Sequence, residues 1–217
     1  MVDFALVPRR TALINIDLQR CFVDPSPVAA PGGPVILERV NRLAAACRAA
    51  GILVIHTALV FRPDGSNMGI VAETSEVTRD GILNKGAESA ALHPDLVVVE
   101  NDILLDKPRM GAFHGTDLEL ILRGRGIDTI IISGITTNIC CDTTAREAMA
   151  RDLHVFFLSD GTAAPPMGDL SPAEVQKATL ATLGHLFAQV LTVDEMLEKI
   201  TRYVGECEAE KTPGPAL

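Results

Sequence analysis

Cys140 is the residue whose surroundings most favour covalent chemistry. It lies in residues 133–146 (SGITTNICCDTTAR), where an apolar run passes through a glycine turn into a predicted helix. The unpaired N–H groups and the positive dipole end of a first helical turn favour a thiolate, the nucleophilic form of cysteine. The same N–H groups suit an oxyanion formed after attack on a carbonyl. Two alternatives stay open: Cys140 is a small buried hydrophobic residue, or the adjacent Cys141 is the cysteine that faces a ligand.

Asp17 and Lys107 are suited to activate such a nucleophile. Asp17 closes the apolar residues 11–16, and Lys107 follows the apolar residues 103–105. In this hypothesis the aspartate accepts the thiol proton and later donates it to a leaving amine, while the lysine holds the aspartate and stabilises the thiolate. Taken singly, each residue has an ordinary explanation, because Asp17 could be a solvated strand end or a cap, and Lys107 a surface lysine.

The segments that must position these residues alternate between strand-like and helix-like patterns. Continuous apolar runs predict buried strands, and apolar spacings of three and four predict amphipathic helices. The predicted strands cover residues 11–17, 52–56, 97–100, 103–105, 128–133, 153–159 and 187–191. The predicted helices cover residues 35–51, 116–125, 138–151, 172–186 and 193–203. The weakly periodic residues 61–96 are expected to form a functional loop or an oligomer contact with one short helix.

This alternation predicts an α/β fold of three layers, in which a doubly wound, mainly parallel six-stranded sheet has helices on both faces. Ligands bind at the carboxyl ends of the strands in such sheets. Asp17, Lys107 and Cys140 all follow predicted strands, so we expect them to meet at that edge. One domain is expected over residues 1–204, with a disordered tail over residues 205–217.

Composition narrows the classes of function. The chain has 217 residues, a formal net charge of −9 and 47% hydrophobic residues. It can therefore build a full core, but it lacks the basic character of a nucleic-acid-binding protein. Its five cysteines do not suggest a disulfide framework, no apolar run is long enough to cross a membrane, and the first residues lack a signal-peptide pattern. We therefore expect a cytoplasmic protein with neither a nucleic-acid nor a membrane partner.

Three segments together resemble the isochorismatase-like cysteine hydrolase superfamily, in its N-carbamoylsarcosine amidase and ureide amidohydrolase branch. Residues 14–22 (INIDLQRCF) are similar to the family's Asp-x-Gln-x-x-Phe motif. Residues 106–118 (DKPRMGAFHGTDL) are similar to its Lys-x-Arg-x-x-Ala-Phe-x-x-Thr-x-Leu motif. Residues 134–146 (GITTNICCDTTAR) resemble its most specific signature, Gly-Val-x-Thr-Asn-x-Cys-Val-x-x-Thr-Ala-Arg, with Cys141 in the place of the valine.

The resemblance implies a catalytic triad of Asp17, Lys107 and Cys140. It also implies a cis peptide bond between Ile135 and Thr136, which would direct the N–H groups of Thr136 and Cys140 at the substrate oxyanion. The implied activity is hydrolysis of a non-peptide C–N bond in a small amide or ureide, through a thioester acyl-enzyme and without a cofactor. A homodimer or homotetramer is typical of such enzymes.

Five further residues are candidates for contact with the substrate. Phe22, Phe61 and Phe113 are candidate pocket walls, although phenylalanine in a chain with 4% aromatic residues is more often part of the core. Arg109 could bind a substrate carboxylate through two hydrogen bonds, or it could pair with a nearby acid. Gln19 could bind the substrate or support the catalytic aspartate.

Departures from the family pattern separate the remaining alternatives. Nicotinamidases have a metal site with an Asp-x-His pattern after the second strand, whereas residues 56–65 here read HTALVFRPDG. His56 is expected in the core and His93 in the loop, so no metal is expected. Isochorismatases that cleave a vinyl ether generally lack the cysteine. A nicotinamidase- or isochorismatase-type hydrolase stays an alternative. A non-catalytic flavodoxin-like binding module, which belongs to another class of function, also stays an alternative. It is disfavoured because the chain lacks a G-x-G-x-x-G motif or a P-loop.

Overall fold

The computed structural model describes residues 3–211, which form a six-stranded sheet flanked by helices. The strands are β1 (Thr11–Ile16), β2 (Leu53–Leu59), β3 (Ile103–Lys107), β4 (Thr129–Ile135), β5 (His154–Ala163) and β6 (Gln189–Leu191). The helices are α1 (Arg20–Val23), α2 (Gly33–Ala49), α3 (Val71–Thr74), α4 (Glu76–Arg79), α5 (Leu118–Gly124), α6 (Asp142–Met149), α7 (Pro172–Thr182) and α8 (Val193–Lys211). Two π-helical turns, Thr137–Cys141 and Leu183–Phe187, precede α6 and follow α7.

The sheet is parallel throughout, with the strand order β3-β2-β1-β4-β5-β6. This confirms the predicted doubly wound architecture. From β1 the chain builds outward to β3 on one side, then returns to the other side of β1 to begin β4. The carboxyl ends of β1 and β4 therefore form the point where the winding direction changes, and in open α/β sheets this crevice binds ligands.

Helices cover both faces of the sheet, which explains why its strands are apolar at consecutive positions. In β1, Leu13 belongs to a cluster with Leu43 of α2 and Met196 of α8. The next residue, Ile14, belongs to a second cluster that includes Leu118 of α5. Neighbouring side chains of one strand thus enter different helical layers, and the three-layer arrangement follows.

The predicted strand over residues 97–100 is wrong. These residues lie outside the sheet, and side chains rather than a strand bind their backbone. The amide of Val97 donates to Asn41 Oδ1 at 2.9 Å, and the amide of Val99 donates to Asp102 Oδ2 at 3.0 Å. Because only β2 pairs with β3 in this sheet, the β-type valine run before β3 has no neighbouring strand.

Other elements differ mainly in their ends. The predicted helix over residues 138–151 begins with a π-helical turn and is α-helical only from Asp142 to Met149. The long loop after β2 holds two single-turn helices, α3 and α4, rather than one. Helix α8 continues to Lys211, so it includes the first part of the expected tail, and residues 212–217 lie outside the described residues. No helix within the described part of the chain is long and apolar enough to cross a membrane.

Candidate active site

Asp17, Lys107 and Cys140 meet at the carboxyl edge of the sheet. Asp17 directly follows β1, Lys107 is the last residue of β3, and Cys140 lies in the π-helical turn after β4. Lys107 Nζ lies 2.7 Å from Asp17 Oδ2, and both side chains are fully buried. Cys140 lies close enough to both charged groups for each of them to act on the pKa of its thiol. The three residues therefore share one buried site.

The carboxylate of Asp17 is held by its neighbour Thr57. The hydroxyl of Thr57, on β2, donates to Asp17 Oδ1 at 2.7 Å, and the backbone N–H of Asp17 donates back to that hydroxyl at 3.2 Å. Asp17 adopts a left-handed backbone conformation with φ of 48°. Its other oxygen, Oδ2, accepts no hydrogen bond of normal geometry within the described residues apart from its ion pair with Lys107. This oxygen can therefore take up a proton from the thiol.

Lys107 is fixed as an ammonium ion. Its Nζ donates to the backbone carbonyls of Arg109 at 3.0 Å and Met110 at 2.9 Å, in addition to its ion pair with Asp17. Burial alone would lower the pKa of Lys107, but the charge of Asp17 and the hydrogen bond to its carboxylate act against burial, and the pKa is raised. The ammonium therefore supplies a positive charge beside the sulfur and does not act as a base.

Cys140 rests as a thiol, in contrast to the thiolate that its place at a helix start suggested. Burial raises the pKa of the Cys140 thiol to about 12, with Lys107 lowering it and the negative charge of Asp17 raising it further. The helix-end effect is small beside desolvation of a side chain that is only 4% exposed. Formation of the nucleophile therefore requires transfer of the proton to a neighbouring base.

Cys141 lies beside the nucleophile candidate but makes a different contact. Its Sγ donates to the backbone carbonyl of Ser133 on β4, at 4.0 Å. Burial, followed by the charges of Cys140 and Asp17, raises the pKa of Cys141 well above that of an ordinary thiol. Cys141 therefore contacts the backbone of β4, whereas the Cys140 thiol is influenced by Asp17 and Lys107.

A close approach between β1 and β4 sets the position of the turn that carries Cys140. Gly134 has φ of 115°, and a Cβ at this position would lie 2.0 Å from the carbonyl oxygen of Ile16. Only glycine fits both constraints. The following Ile135–Thr136 peptide bond is cis, as the resemblance implied. The carbonyl of Thr136 then accepts the backbone N–H of Cys141 at 3.1 Å.

Two side chains of α6 connect the Cys140 turn to the loop after Lys107. The Thr144 hydroxyl donates to the carbonyl of Cys140 at 2.7 Å and accepts the N–H of Ala112 at 3.1 Å. Glu147 Oε2 accepts the N–H of Phe113 at 3.1 Å. Thr57, Thr144 and Glu147 are not among the residues that the sequence pattern indicates as candidates. The sequence does place Thr57 in an apolar strand and Thr144 in a signature segment. The contacts that these residues make with distant segments could not be predicted from the sequence.

Gln19 is fully buried and is occupied by backbone groups. Its Nε2 donates to the carbonyls of Leu59 at 3.1 Å and Ala90 at 2.7 Å, and its Oε1 accepts the N–H of Leu59 at 2.8 Å. These contacts connect α1, β2 and the long loop. Two roles were left open for Gln19, contact with the substrate and support of the catalytic aspartate. These backbone contacts agree with the supporting role.

The other candidate substrate residues have different surroundings. Phe61 and Lys107 line one cavity of about 350 Å³. Arg109 is half-buried, and its Nη1 donates to the carbonyl of Asn67 at 2.8 Å and to that of Pro108, with no acid partner within the described residues. Phe22 belongs to the apolar core. The ring of Phe113 packs against the guanidinium of Arg151, 4.6 Å from its centroid.

His56 belongs to a buried polar chain that crosses the sheet. Ser133 Oγ donates to Asn15 Oδ1 at 2.7 Å, Asn15 Nδ2 lies 3.2 Å from His56 Nδ1, and His56 Nε2 lies 3.1 Å from Asp102 Oδ2. Since the Asn15 amide donates to Nδ1, the ring carries its proton on Nε2. Within the described part of the chain, no group of three or more His, Cys, Asp and Glu residues is placed to hold a metal ion.

Comparisons with known proteins agree with the resemblance that the three segments suggest. A family model described as the isochorismatase domain matches residues 11–195. YwoC of Bacillus subtilis, an uncharacterized isochorismatase family protein, is 32% identical and is matched over 92% of this chain and 96% of its own. RutB of Methylobacterium radiotolerans, a ureidoacrylate amidohydrolase, is 30% identical and is matched over 87% of this chain and 79% of its own.

Solved structures agree with the fold. The crystal structure of a cysteine hydrolase from Pseudomonas syringae superposes with a TM-score of 0.86 at 33% identity, covering 93% of this chain and 97% of that one. An isochorismatase family protein from Burkholderia thailandensis superposes with a TM-score of 0.76 at 31% identity, covering 91% and 98% of the two chains. The predicted architecture is therefore also found in experimentally determined structures of similar sequence.

Proposed function

The chain belongs to the isochorismatase family of hydrolases, and from this premise we propose that it hydrolyses a non-peptide C–N bond in a small amide or ureide. The observation that carries the proposal is the buried Asp17–Lys107 ion pair, whose two charges both act on the Cys140 thiol. A nucleophile, a proton acceptor and a fixed positive charge are the elements that covalent amide hydrolysis needs.

In the first half of the proposed cycle, Cys140 attacks the carbonyl carbon of the substrate. Asp17 Oδ2 takes the thiol proton as the S–C bond forms, and the carbonyl electrons move onto oxygen. The N–H groups of Thr136 and Cys140 stabilise this oxyanion. Protonated Asp17 then donates its proton to the leaving nitrogen, the C–N bond breaks, and ammonia or an amine departs from a thioester.

In the second half, water replaces the amine. Asp17 takes a proton from the water as its oxygen attacks the thioester carbonyl. The tetrahedral intermediate collapses, the C–S bond breaks and the acid product leaves. The proton on Asp17 then returns to the sulfur, so that the thiol is restored. Lys107 remains an ammonium ion throughout and stabilises each state in which Asp17 or the sulfur is negative.

The nature of the relatives favours an amide or ureide over an ether substrate. The RutB relatives are ureidoacrylate amidohydrolases, and at about 30% identity they support the reaction class rather than the same substrate. The presence of Cys140 agrees with this class, since the vinyl-ether-cleaving enzymes of the family generally lack that cysteine. The homodimer or homotetramer, the cytoplasmic location and the domain boundaries stay predictions.

A screen for ammonia release tests the proposal directly. The purified chain and its Cys140→Ala variant are compared on nicotinamide, N-carbamoyl amino acids, ureidoacrylate, biuret and simple primary amides. We expect turnover of at least one amide or ureide by the unmodified chain alone, and a substrate-derived adduct on the Cys140 peptide in mass spectra of quenched reactions. Turnover by the Cys140→Ala variant at an equal rate would contradict the proposed mechanism.

A further inference from the structure

One cavity lies at the end of the sheet opposite the catalytic residues. It has a volume of about 660 Å³ and lies where β1, β2, β3 and β4 begin. The catalytic residues follow the opposite, carboxyl ends of β1, β3 and β4. This cavity is therefore separate from the proposed active site and is available for a different ligand.

Arginine side chains dominate the charge of this cavity. Its lining includes Arg9, Arg48 and Arg125, and among the described residues Asp102 is the one acidic residue that lines it. Asp102 is already neutralised, because Arg48 Nε and Nη2 bind its two oxygens at 3.0 Å and 2.6 Å, and His56 binds it from the other side. The local charge is therefore positive in a chain whose formal net charge is −9.

Two of the arginines have no partner among residues 3–211. The side chains of Arg9 and Arg125 make no hydrogen bond or ion pair within the described residues. Their neighbour Arg10, in contrast, is paired with Asp128. Guanidinium groups form strong, geometrically specific hydrogen bonds with phosphate oxygens. Two guanidiniums without a partner among the described residues, together with a neutralised third one, suit this part of the lining to an anion.

The rest of the lining combines apolar side chains with the polar Thr11 and Asn101. Ile52, Val54, Val99 and Ile127 line it together with the arginines. A volume of this size falls within the range of about 300–1,000 Å³ that is usual for small-molecule sites, in which apolar walls surround a few polar groups. The walls therefore suit the organic part of a ligand whose anionic group faces Arg9 and Arg125.

We propose that this cavity, at the amino ends of β1 to β4, binds a small phosphorylated organic molecule. Arg9 and Arg125 hold the phosphate, and the apolar side chains contact the organic part. Arg48 is held by Asp102 and forms part of the wall. The site is independent of the proposed hydrolase reaction, since it shares no residue with the catalytic site.

Isothermal titration calorimetry at low ionic strength tests the site with phenyl phosphate and inorganic phosphate as probes. We expect saturable binding of phenyl phosphate by the full chain, tighter than that of inorganic phosphate because of the apolar walls. The Arg9→Ala/Arg125→Ala variant should weaken phenyl phosphate binding at least tenfold. Both side chains are exposed, so circular dichroism of this variant should match that of the unmodified chain.

A charge-matched variant is the control. Arg79→Ala/Arg202→Ala removes two arginines that do not line the cavity, and it should bind phenyl phosphate as the unmodified chain does. Equal weakening in both double variants, full retention of binding in Arg9→Ala/Arg125→Ala, or no saturable binding by the unmodified chain would each overturn the proposal. Binding of benzoate as tightly as phenyl phosphate would overturn the assignment to phosphorylated ligands.

Discussion

Lys107 Nζ lies 2.7 Å from Asp17 Oδ2 in a pocket where neither side chain is exposed to solvent. Taking either charge out of water alone would cost several kcal/mol, so each charge is tolerated because the other is present. Lys107 is the last residue of β3, and Asp17 directly follows β1. These two strands are not adjacent in the sheet. The ion pair therefore spans the carboxyl ends of three strands, with Thr57 of the intervening β2 also bound to the aspartate.

Lys107→Met should remove activity and also destabilise the fold. It leaves the Asp17 carboxylate buried without its counter-charge, and loss of one partner of a buried pair typically costs about 3–5 kcal/mol. We expect kcat to fall at least about a hundredfold, since the proton acceptor and the thiolate lose their stabilising charge. Urea unfolding and steady-state kinetics measure the two effects.

The Asp17→Asn/Lys107→Met variant separates stability from catalysis. It removes both charges, so its unfolding free energy should recover toward that of the unmodified chain, while activity stays absent. If Lys107→Met alone is as stable as this double variant, the two groups are not a charged pair in the fold.

Cys140→Ser should abolish hydrolysis, and Cys141→Ser should leave most of it. A hydroxyl is a much weaker nucleophile than a thiol in this position, so we expect a loss of at least about a thousandfold in kcat for Cys140→Ser. Cys141 contacts the Ser133 carbonyl only weakly, so a serine at this position leaves the Cys140 nucleophile unchanged. Kinetics of the two variants provide matched controls for each other, and equal losses would count against Cys140 as the single nucleophile.

The sheet was predictable because most of its strands contain a continuous apolar run. The β4 segment could belong only to a strand covered on both faces, and the prediction that Asp17, Lys107 and Cys140 meet followed from parallel strand ends. The valine run at 97–100 shows the limit of this reasoning. Its β-type composition is real, but whether a neighbouring strand is present depends on the assembled sheet.

The ionisation state of Cys140 and the supports of the site could not be predicted in the same way. A helix start favours a thiolate locally, but burial acts on the whole side chain and depends on everything packed around it. Likewise, the contacts of Thr144 and Glu147 join segments about 30 residues apart. Neither the degree of burial nor such contacts appears in a local pattern.

Thr144→Val should impair catalysis by loosening two loops at once. The change keeps the side-chain shape but removes the hydroxyl that binds the Cys140 carbonyl and the Ala112 amide. A buried amide left without a partner costs about 1–3 kcal/mol. We expect lower stability and a kcat that falls more than KM changes, because Cys140 and Lys107 lose their relative position. Thr144→Ser retains the hydroxyl and should restore kcat; a serine variant as impaired as the valine variant would contradict this role.

The stability of the fold should decrease as the pH falls below about 6.5, in part because of His56. Burial lowers the pKa of His56, although its hydrogen bond to Asp102 acts in the opposite direction. The unfolded chain therefore binds a proton near the ordinary histidine pKa of about 6.5, before the folded chain does. This contribution is complete above that pH and is lost toward the lower pKa of the folded state. Urea unfolding across this range should show a smaller pH slope for His56→Gln, and identical slopes would exclude the buried neutral histidine as a cause.

Alkylation of Cys140 should become faster with pH without levelling off near neutrality. Because burial raises the pKa of this thiol to about 12, the reactive thiolate is a small fraction at neutral pH and grows throughout the accessible range. Iodoacetamide labelling of the Cys140 peptide in a Cys141→Ser background, quantified by mass spectrometry, measures the profile. Lys107 lowers this pKa, so Lys107→Met should slow labelling at every pH. A plateau near pH 7 would mean that a thiolate already exists in the resting site. Transfer of the thiol proton to Asp17 during the reaction would then be unnecessary.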